Sequence, residues 1–289
     1  MERFRPILKG IGRLPRTFFK NKKLGAGFSI MLALVFLGGI GPLMIPAQKV
    51  QMGMYLQDMP PSPDHLLGTD TMGRDLLAVL VYGTRTSILI GLMAGIMGIL
   101  VGVAVGFISG YEGGITDTIL VSTTDVFMVL PTWPLIVILS QYLKALSLPL
   151  FATLLAIFSW PETTRRVRSQ VISLKERSFV RLAKLSGQGS LEIAFREIAP
   201  NMLPYIGACF ASAVSGAVLA ESGLSLLGLA PVGTVTLGLN LNYATAYGAM
   251  IKGMWWWLVP TILCLVGVFL GLQLINMGLD EIYNPRLKK

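Results

Sequence analysis

The sequence predicts an all-α integral membrane protein: six transmembrane helices with a cytoplasmic helical loop. Three observations carry that expectation. Only 13% of the 289 residues are charged and 53% are hydrophobic, against about 25% charged in ordinary globular chains. Mean hydropathy is +0.67. The apolar residues fall into long charge-free runs, and the basic residues are shared unevenly among the segments between them. A soluble fold with so few charges could not cover its surface, so the chain must meet lipid. The same composition excludes a disordered chain, a coiled coil and a secreted disulfide scaffold. Cys209 and Cys264 both lie inside apolar runs and read as small packing residues. With His65 as the single histidine, a protein-borne zinc or iron site is not expected.

A span needs about 20 predominantly apolar residues to cross the hydrocarbon core. Charge-free stretches of this kind occur at Leu24–Gln48, Thr86–Tyr111, Val126–Leu143, Ala145–Pro161, Ile198–Ala220 and Gly253–Leu279. The fourth is short, so its helix should continue past Pro161 into water. Ser222–Ile251 is also uncharged, but Gly223, Gly228, Pro231, Gly233, Gly238 and Gly248 break it and it holds Asn240 and Asn242. Lipid tolerates such backbone only under protein cover, so it is expected as an external or re-entrant loop. The resulting organisation is a basic N-terminal segment (1–23), a first transmembrane helix (24–48), an external loop (49–85), a five-helix core (86–279) and a C-terminal tail (280–289). The core includes a cytoplasmic loop at 162–200.

Orientation follows from the basic residues. With the N-terminus inside, the segments 1–23, 110–117, 162–197 and 280–289 hold 19 Lys or Arg, and the external side keeps 5. That bias sets the N-terminus, the long loop and the C-terminus in the cytoplasm. The apolar run after residue 23 is too long, and lacks a clean small-residue cleavage site, for a signal peptide. The net charge of +9 is therefore a topology signal and not a nucleic-acid footprint.

The loop Glu162–Glu197 is too long for a simple connector. Its apolar residues recur at roughly helical spacing through Val167, Val171, Leu174, Phe179, Val180, Ala183, Leu185, Leu191 and Ile193. Gly187-Gln188-Gly189-Ser190 divides two short helices, with Gly187 ending the first in the left-handed region and Ser190 capping the second. Pro200 and Pro204 mark the turn back into the bilayer. A short amphipathic helix held there can lie on lipid headgroups or enter a groove on a cytoplasmic partner.

The stretch Phe179-Val-Arg-Leu-Ala-Lys-Leu-Ser-Gly187, followed by Ile193, Glu197, Pro200 and Asn201, resembles the "EAA…G" loop of binding-protein-dependent ABC importer permeases. Ala183, Gly187 and Pro200-Asn201 match the pattern; Arg181 stands where the family has Glu, Leu182 at its first Ala and Glu197 at a frequent His. Five further blocks are similar to the second, C-type permease of the dipeptide/oligopeptide/nickel branch. They are His65-Leu-Leu-Gly-Thr-Asp-Thr-Met-Gly-Arg-Asp75, Gly110–Asp117, Trp160–Arg177, Leu224–Gly228 and Gly278–Arg286, and they fall in the family's order from about residue 20 to 289. Leu237-Gly238 stands where the family usually has Trp-Gly. The resemblance implies a type I importer permease fold. It also implies a second homologous permease subunit, two cytoplasmic ATPase subunits that bind ATP and Mg, and an extracytoplasmic solute-binding protein, in a prokaryotic inner membrane.

On that resemblance the ATPase-coupling candidates are Phe179, Arg181, Ala183, Lys184, Gly187, Glu192, Glu197 and Pro200. Gly68, Thr69, Asp70, Arg74 and Asp75 offer a contact for the binding protein, or else a turn with Asp70 capping the next helix. His65 is expected to be solvated. Asp125, an acid inside a span, asks for a polar partner, and Trp255-Trp256-Trp257 read as an interfacial aromatic belt. Gly91, Ala94, Gly95, Gly98, Gly102 and Gly106 form a small-residue row that permits close helix approach. No phosphate loop, His-Glu-x-x-His site or Ser/His/Asp set occurs, so the chain is expected to be a non-enzymatic pore subunit without its own cofactor. Peptides are the expected cargo, with oligosaccharides or nickel on the same machinery as alternatives. A proton-coupled carrier would need more acids in the spans.

Overall fold

The computed structural model describes residues 21–142 and 147–283. Most of the expected basic N-terminal segment, Lys144 and the end of the C-terminal tail lie outside them. Among the described residues all regular structure is helical, with one isolated β-bridge between Thr69 and Asp75.

α1 (Lys22–Met44) starts at Asn21, whose side chain accepts from the Lys23 and Leu24 amides and so satisfies two orphan donors of the first turn. After a 3₁₀ turn and a long loop, α2 (Leu76–Glu112) runs 37 residues. α3 (Gly114–Val129) and α4 (Thr132–Tyr142) follow, bent by 77°. α5 (Leu148–Lys175) continues well past Pro161. Two short helices, α6 (Ser178–Leu185) and α7 (Ser190–Ile193), lead through a π turn at Ala194–Ile198 into α8 (Ala199–Leu226). A short α9 (Leu237–Ala246) precedes α10 (Trp255–Tyr283).

Helices stand at all six apolar stretches, with two differences from the expected pattern. The third stretch begins earlier, at Gly114, and is broken at Leu130-Pro131. The ring of Pro131 disfavours helical backbone at the preceding residue, and Leu130 is extended (φ −62°, ψ 132°). The expected helix Val126–Leu143 is thus two pieces. By length and apolarity, four helices among the described residues can cross a bilayer, and the bent α3–α4 pair makes a fifth if taken as one span. α5 is long enough, but only its first half is apolar. The segment Ser222–Ile251 contains α9, whose 10 residues rise about 15 Å, half of a hydrocarbon core.

α2 is the spine. Its glycine row packs within the chain, on two neighbours. A Cβ at Gly95 would lie 2.6 Å from Val214 Cγ2 of α8, and Gly91 meets Val218 of the same helix. Farther along, a Cβ at Gly102 would meet Thr163 Cβ at 2.6 Å, and one at Gly106 the Thr164 carbonyl at 2.6 Å, both on α5. Backbones approach this closely only where side chains are absent. Thr164 Oγ1 donates across the seam to the Gly102 carbonyl. α1 pairs with α10 by the same device: a Cβ on Gly27 would meet the Gly271 carbonyl at 2.7 Å, and Gly278 sits on Leu24. Asn21 Nδ2 donates to Glu281 Oε2 (3.0 Å) at the end of this pair.

Two substitutions separate packing from lipid contact. Gly106→Val inserts a branched side chain into the α2–α5 seam, an overpacking cost of about 1–3 kcal/mol. Gly39→Val adds atoms where nothing lies within 4 Å. In detergent the first should lower the melting temperature by several degrees and the second should leave it unchanged.

Candidate functional site

The candidate coupling residues gather at one end of the bundle, on an elbow built from α6 and α7. Val167, Val171 and Leu174 of α5 pack with Val180 and Ala183 of α6, Ile193 of α7, and Ile198 and Met202 leading into α8. Phe179 and the α2 residues Val103, Phe107 and Tyr111 close this cluster. Lys175 Nζ donates to the Tyr111 carbonyl (2.5 Å) and the Gly110 carbonyl (3.3 Å), a cation on the C-terminal carbonyls of α2. The Tyr111 hydroxyl reaches Ser190 Oγ (2.8 Å), and Phe107 stacks on Phe195. The elbow is thus bolted to α2, α5 and α8.

Gly187 has φ +78° and ends α6 in a Schellman arrangement: Gln188 N donates to Ala183 O (3.2 Å) and Gly187 N to Lys184 O (3.1 Å). Ser190 does not cap α7. Gly189 holds the cap position without a side-chain bond, and Ser190 is the first helical residue, its hydroxyl turned to Tyr111. The prolines do not turn the chain either. Pro200 occupies the first turn of α8, and helix runs without interruption from Ser190 to Leu226. The wider π turn stands directly before the proline that cannot donate a backbone N–H.

The outer face of the elbow is apolar and exposed. Leu182, Leu185, Leu191 and Phe195 are 64%, 85%, 73% and 68% exposed. Arg181, Lys184 and Arg196 surround them; Arg181 reaches Glu176 (3.5 Å) and Arg196 pairs with Glu192. Among the other candidates, Ala183 is buried under this face, while Phe179, Glu197 and Pro200 are half-buried.

The loop at the opposite end is a folded knot. Asp70 is fully buried; its Oδ1 accepts from the Met72 and Arg74 amides (both 2.9 Å) and its Oδ2 from Arg74 Nε (2.6 Å). The Arg74 guanidinium lies over the Tyr243 ring. The helix cap is Asp75, not Asp70: Asp75 Oδ1 accepts from the Ala78 amide (3.0 Å). Nor is His65 solvated. It is buried, its Nδ1 2.8 Å from Asp75 Oδ2. Thr69 Oγ1 donates to the Leu56 carbonyl and accepts from the Met59 amide. Gly68 and Gly73 take positive φ, and a Cβ on either would strike a backbone carbonyl. Hydrogen bonds and charge pairing inside the knot bury Thr69, Asp70, Arg74 and Asp75, and of the four only Arg74 borders a cavity.

Of the cavities among the described residues, two have several polar side chains in their walls. One, about 250 Å³, lies between α5, α8 and α10 and is lined by Ser159, Glu162, Arg166, Ser212 and Gln273. Arg166 pairs with Glu162 and donates to Ser212 Oγ (3.3 Å), which Asn276 also reaches. At 1.5 Å per residue from the start of α5, Glu162 and Arg166 stand about 21 and 27 Å along the helix, past its apolar half. Asp125 finds its partner in its own chain, Arg165 (2.6 Å), and Asp117 accepts two bonds from Arg168. The other cavity, about 490 Å³, is lined by Gln51, Arg74, Tyr243 and the loop Gly228–Val235. Above it, Lys252 Nζ (2.7 Å) and Thr71 (2.6 Å) donate to Asp58. Burial alone would raise the Asp58 carboxyl, but these bonds and the lysine charge hold it below its ordinary 3.8.

Sequence reasoning missed Glu221, which is fully buried on α8. It fell between two charge-free runs and passed as a boundary. The signal was its isolation: it is the sole acid between residues 198 and 279. The Trp belt is also only partly external, since Trp257 is fully buried and its Nε1 donates to Asn240 Oδ1 (2.9 Å).

Residues 102–289 match the family described as binding-protein-dependent transport system inner membrane component. The chain belongs to this family. It is a multi-pass membrane permease subunit of a binding-protein-dependent transporter. It is 32% identical to the dipeptide transport system permease protein DppC of Bacillus subtilis, over 99% of this chain and 88% of that protein. It is 32% identical to the oligopeptide transport system permease protein OppC of Lactococcus lactis subsp. lactis, over 92% of each. With DppC of Haemophilus influenzae it shares 30% over 94% of each. The C-type resemblance read from the motif order stands.

Two outcomes test the knot. Arg74→Ala leaves Asp70 buried without its cation and should cost about 3–5 kcal/mol, read as protease sensitivity of residues 49–75. The pair Asp70→Asn, Arg74→Gln should cost less than Arg74→Ala alone. For Asp58, a depressed folded value means its contribution is complete above 3.8 and is lost as pH falls through that lower value. The fluorescence of an environment-sensitive dye attached beforehand at Ile251→Cys should therefore be constant from neutral pH to about 4 and change only below it, and Asp58→Asn should remove that step.

Proposed function

We propose that this permease imports peptides, with ATP bound and hydrolysed, together with Mg, by two separate ATPase subunits. A second homologous permease completes the path, and an extracytoplasmic binding protein delivers cargo. The peptide assignment rests on the dipeptide and oligopeptide permeases that resemble the chain over nearly its whole length. The elbow faces the cytoplasm and the 49–75 knot faces outside, an orientation supported by the distribution of basic residues.

The observation that carries the mechanism is the exposed apolar face of α6–α7 standing on a packed base. Four large apolar side chains in water are costly unless a partner covers them, and two short helices at a fixed angle fit a groove. The basic rim of Arg181, Lys184 and Arg196 complements acidic residues on that partner. Closure of the ATPases around ATP then moves the elbow as one piece, because its core is shared with α2, α5 and α8. The polar groove of Glu162, Arg166 and Ser212 forms part of the path wall, which supplies the water or protein that its charges require.

Gly187→Val tests the coupling role. Nothing lies within 4 Å of a Cβ there, so the change acts through backbone strain alone, about 1–3 kcal/mol. The protein should still insert, while ATPase co-purification or cargo-stimulated ATP turnover falls; Leu185→Glu should do the same without strain. Full peptide uptake in both variants would remove the elbow from the mechanism. Orientation is read separately: an impermeant thiol reagent applied outside should leave Lys184→Cys unlabelled in a Cys209- and Cys264-free background.

A further inference from the structure

Four arginines of the bundle, Arg74, Arg165, Arg166 and Arg168, each meet a carboxylate. Arg85 on α2 is exposed and meets neither a carboxylate nor a hydrogen-bond acceptor among the described residues. Its place makes this costly. A Cβ on Gly38 of α1 would lie 2.9 Å from the Arg85 backbone nitrogen, so Arg85 stands level with Gly38. α1 carries no charge from Leu24 to Met44, and its 23 residues rise about 34 Å, little more than the hydrocarbon thickness. Gly38 lies about 9 Å short of the Met44 end of that helix. The guanidinium is thus set where a spanning helix passes from hydrocarbon to headgroups, and an unpaired cation there calls for an anion or water.

Beside Arg85 runs a groove between α1 and α2. The two helices meet closely near Met44: Tyr82 O–H donates to the Ile45 carbonyl (2.9 Å), and a Cβ on Gly41 would lie 2.7 Å from Val81 Cγ1. Toward its other end α1 leaves α2 and packs on α10 through Gly27. The separation opens a cavity of about 260 Å³ lined by Val35, Gly39, Ile88, Leu89 and Leu92, with Arg85 as its single charged residue. Ile88 belongs to the packed core behind it, while Val35 and Leu89 form an exposed rim. Nothing fills the groove at Gly39, where no atom lies within 4 Å of a Cβ.

We propose that this groove binds an anionic phospholipid, with one acyl chain along Val35, Gly39 and Leu92 and the headgroup phosphate on Arg85. Two features together select that occupant. The apolar walls take hydrocarbon and offer it no hydrogen bond. The one cation stands at the edge of the groove, and a guanidinium pairs with phosphate oxygens through two parallel N–H bonds. A groove between spanning helices already has lipid as its solvent, so the charge has only to choose among headgroups. A net negative headgroup neutralises Arg85, whereas a zwitterionic one brings its own cation. The assignment is independent of cargo and of which side of the membrane the groove faces.

The test places the assembled transporter, in a Cys209- and Cys264-free background, in phosphatidylcholine vesicles with a bimane fluorophore at Ile96→Cys. Ile96 is exposed on α2, one turn past Leu92, so it shares that face without lining the groove. Quenching by phosphatidylglycerol with a nitroxide on its acyl chain is compared with quenching by phosphatidylcholine carrying the same label. The parent should prefer phosphatidylglycerol roughly threefold or more, and Arg85→Gln should abolish the preference. Gly39→Leu, which fills the groove and leaves the charge, should abolish it too. A fluorophore at Leu263→Cys, exposed on α10, should be quenched equally by both lipids in every variant, which also shows that each has inserted. No preference in the parent overturns the proposal, as does a preference that survives Arg85→Gln. One that survives Gly39→Leu reduces the effect to surface charge, and displacement by inorganic phosphate at constant ionic strength reduces it to a bare anion site; either overturns the lipid assignment. Quenching at Ile96→Cys by neither lipid means that another subunit covers the groove, and overturns it as well.

Discussion

Close backbone approach along α2 is the constraint on which the rest of the structure depends. In lipid, apolar helices gain nothing by leaving their solvent for one another, so association rests on contact. The glycines of α2 supply that contact on two sides at different heights, α8 through Gly91 and Gly95 and α5 through Gly102 and Gly106. Everything with a chemical character hangs from this three-helix unit. The elbow packs on its one end through Phe107 and Tyr111, and Ser87 accepts from the Leu237 amide near the other.

Charge along α5 is concentrated past Pro161. Three arginines, Arg165, Arg166 and Arg168, fall within four residues, and each meets a carboxylate: Asp125, Glu162 and Asp117. A guanidinium near hydrocarbon without such a partner would be forced to draw in water. Two of the three carboxylates belong to α3, so the pairs also fasten the bent α3–α4 unit, which has few other contacts with the bundle. Polar bonds here do the work that apolar burial does in water.

What the sequence disclosed and what it withheld divide along the range of the interactions. Helix positions came from hydropathy, which is local, and the break at Gly187 came from a residue type with one strong conformational preference. The continuation of α5 past Pro161 was legible because the apolar run was too short to stand alone. Contacts distant in sequence were not legible. His65 meets Asp75 only after the loop closes, Asp125 finds Arg165 forty residues away, and Ser190 turns to Tyr111 and not to its own helix. Pro200 and Pro204 misled for a different reason: a proline rule written for isolated helices ignores a π turn that widens the helix just where the donor is missing.

The uninterrupted helix from Ser190 to Leu226 carries a mechanical consequence. Its 37 residues make a rod of about 55 Å, with the elbow as its handle and Glu221 near its far tip. Tilting such a rod by about 5° around one end displaces the other by about 5 Å, roughly one helical turn. Had Pro200 broken the chain into a loop, the same push would have been absorbed by a joint. Displacement of this kind needs no large rearrangement at the handle, and it connects the two ends of the bundle through one continuous helix.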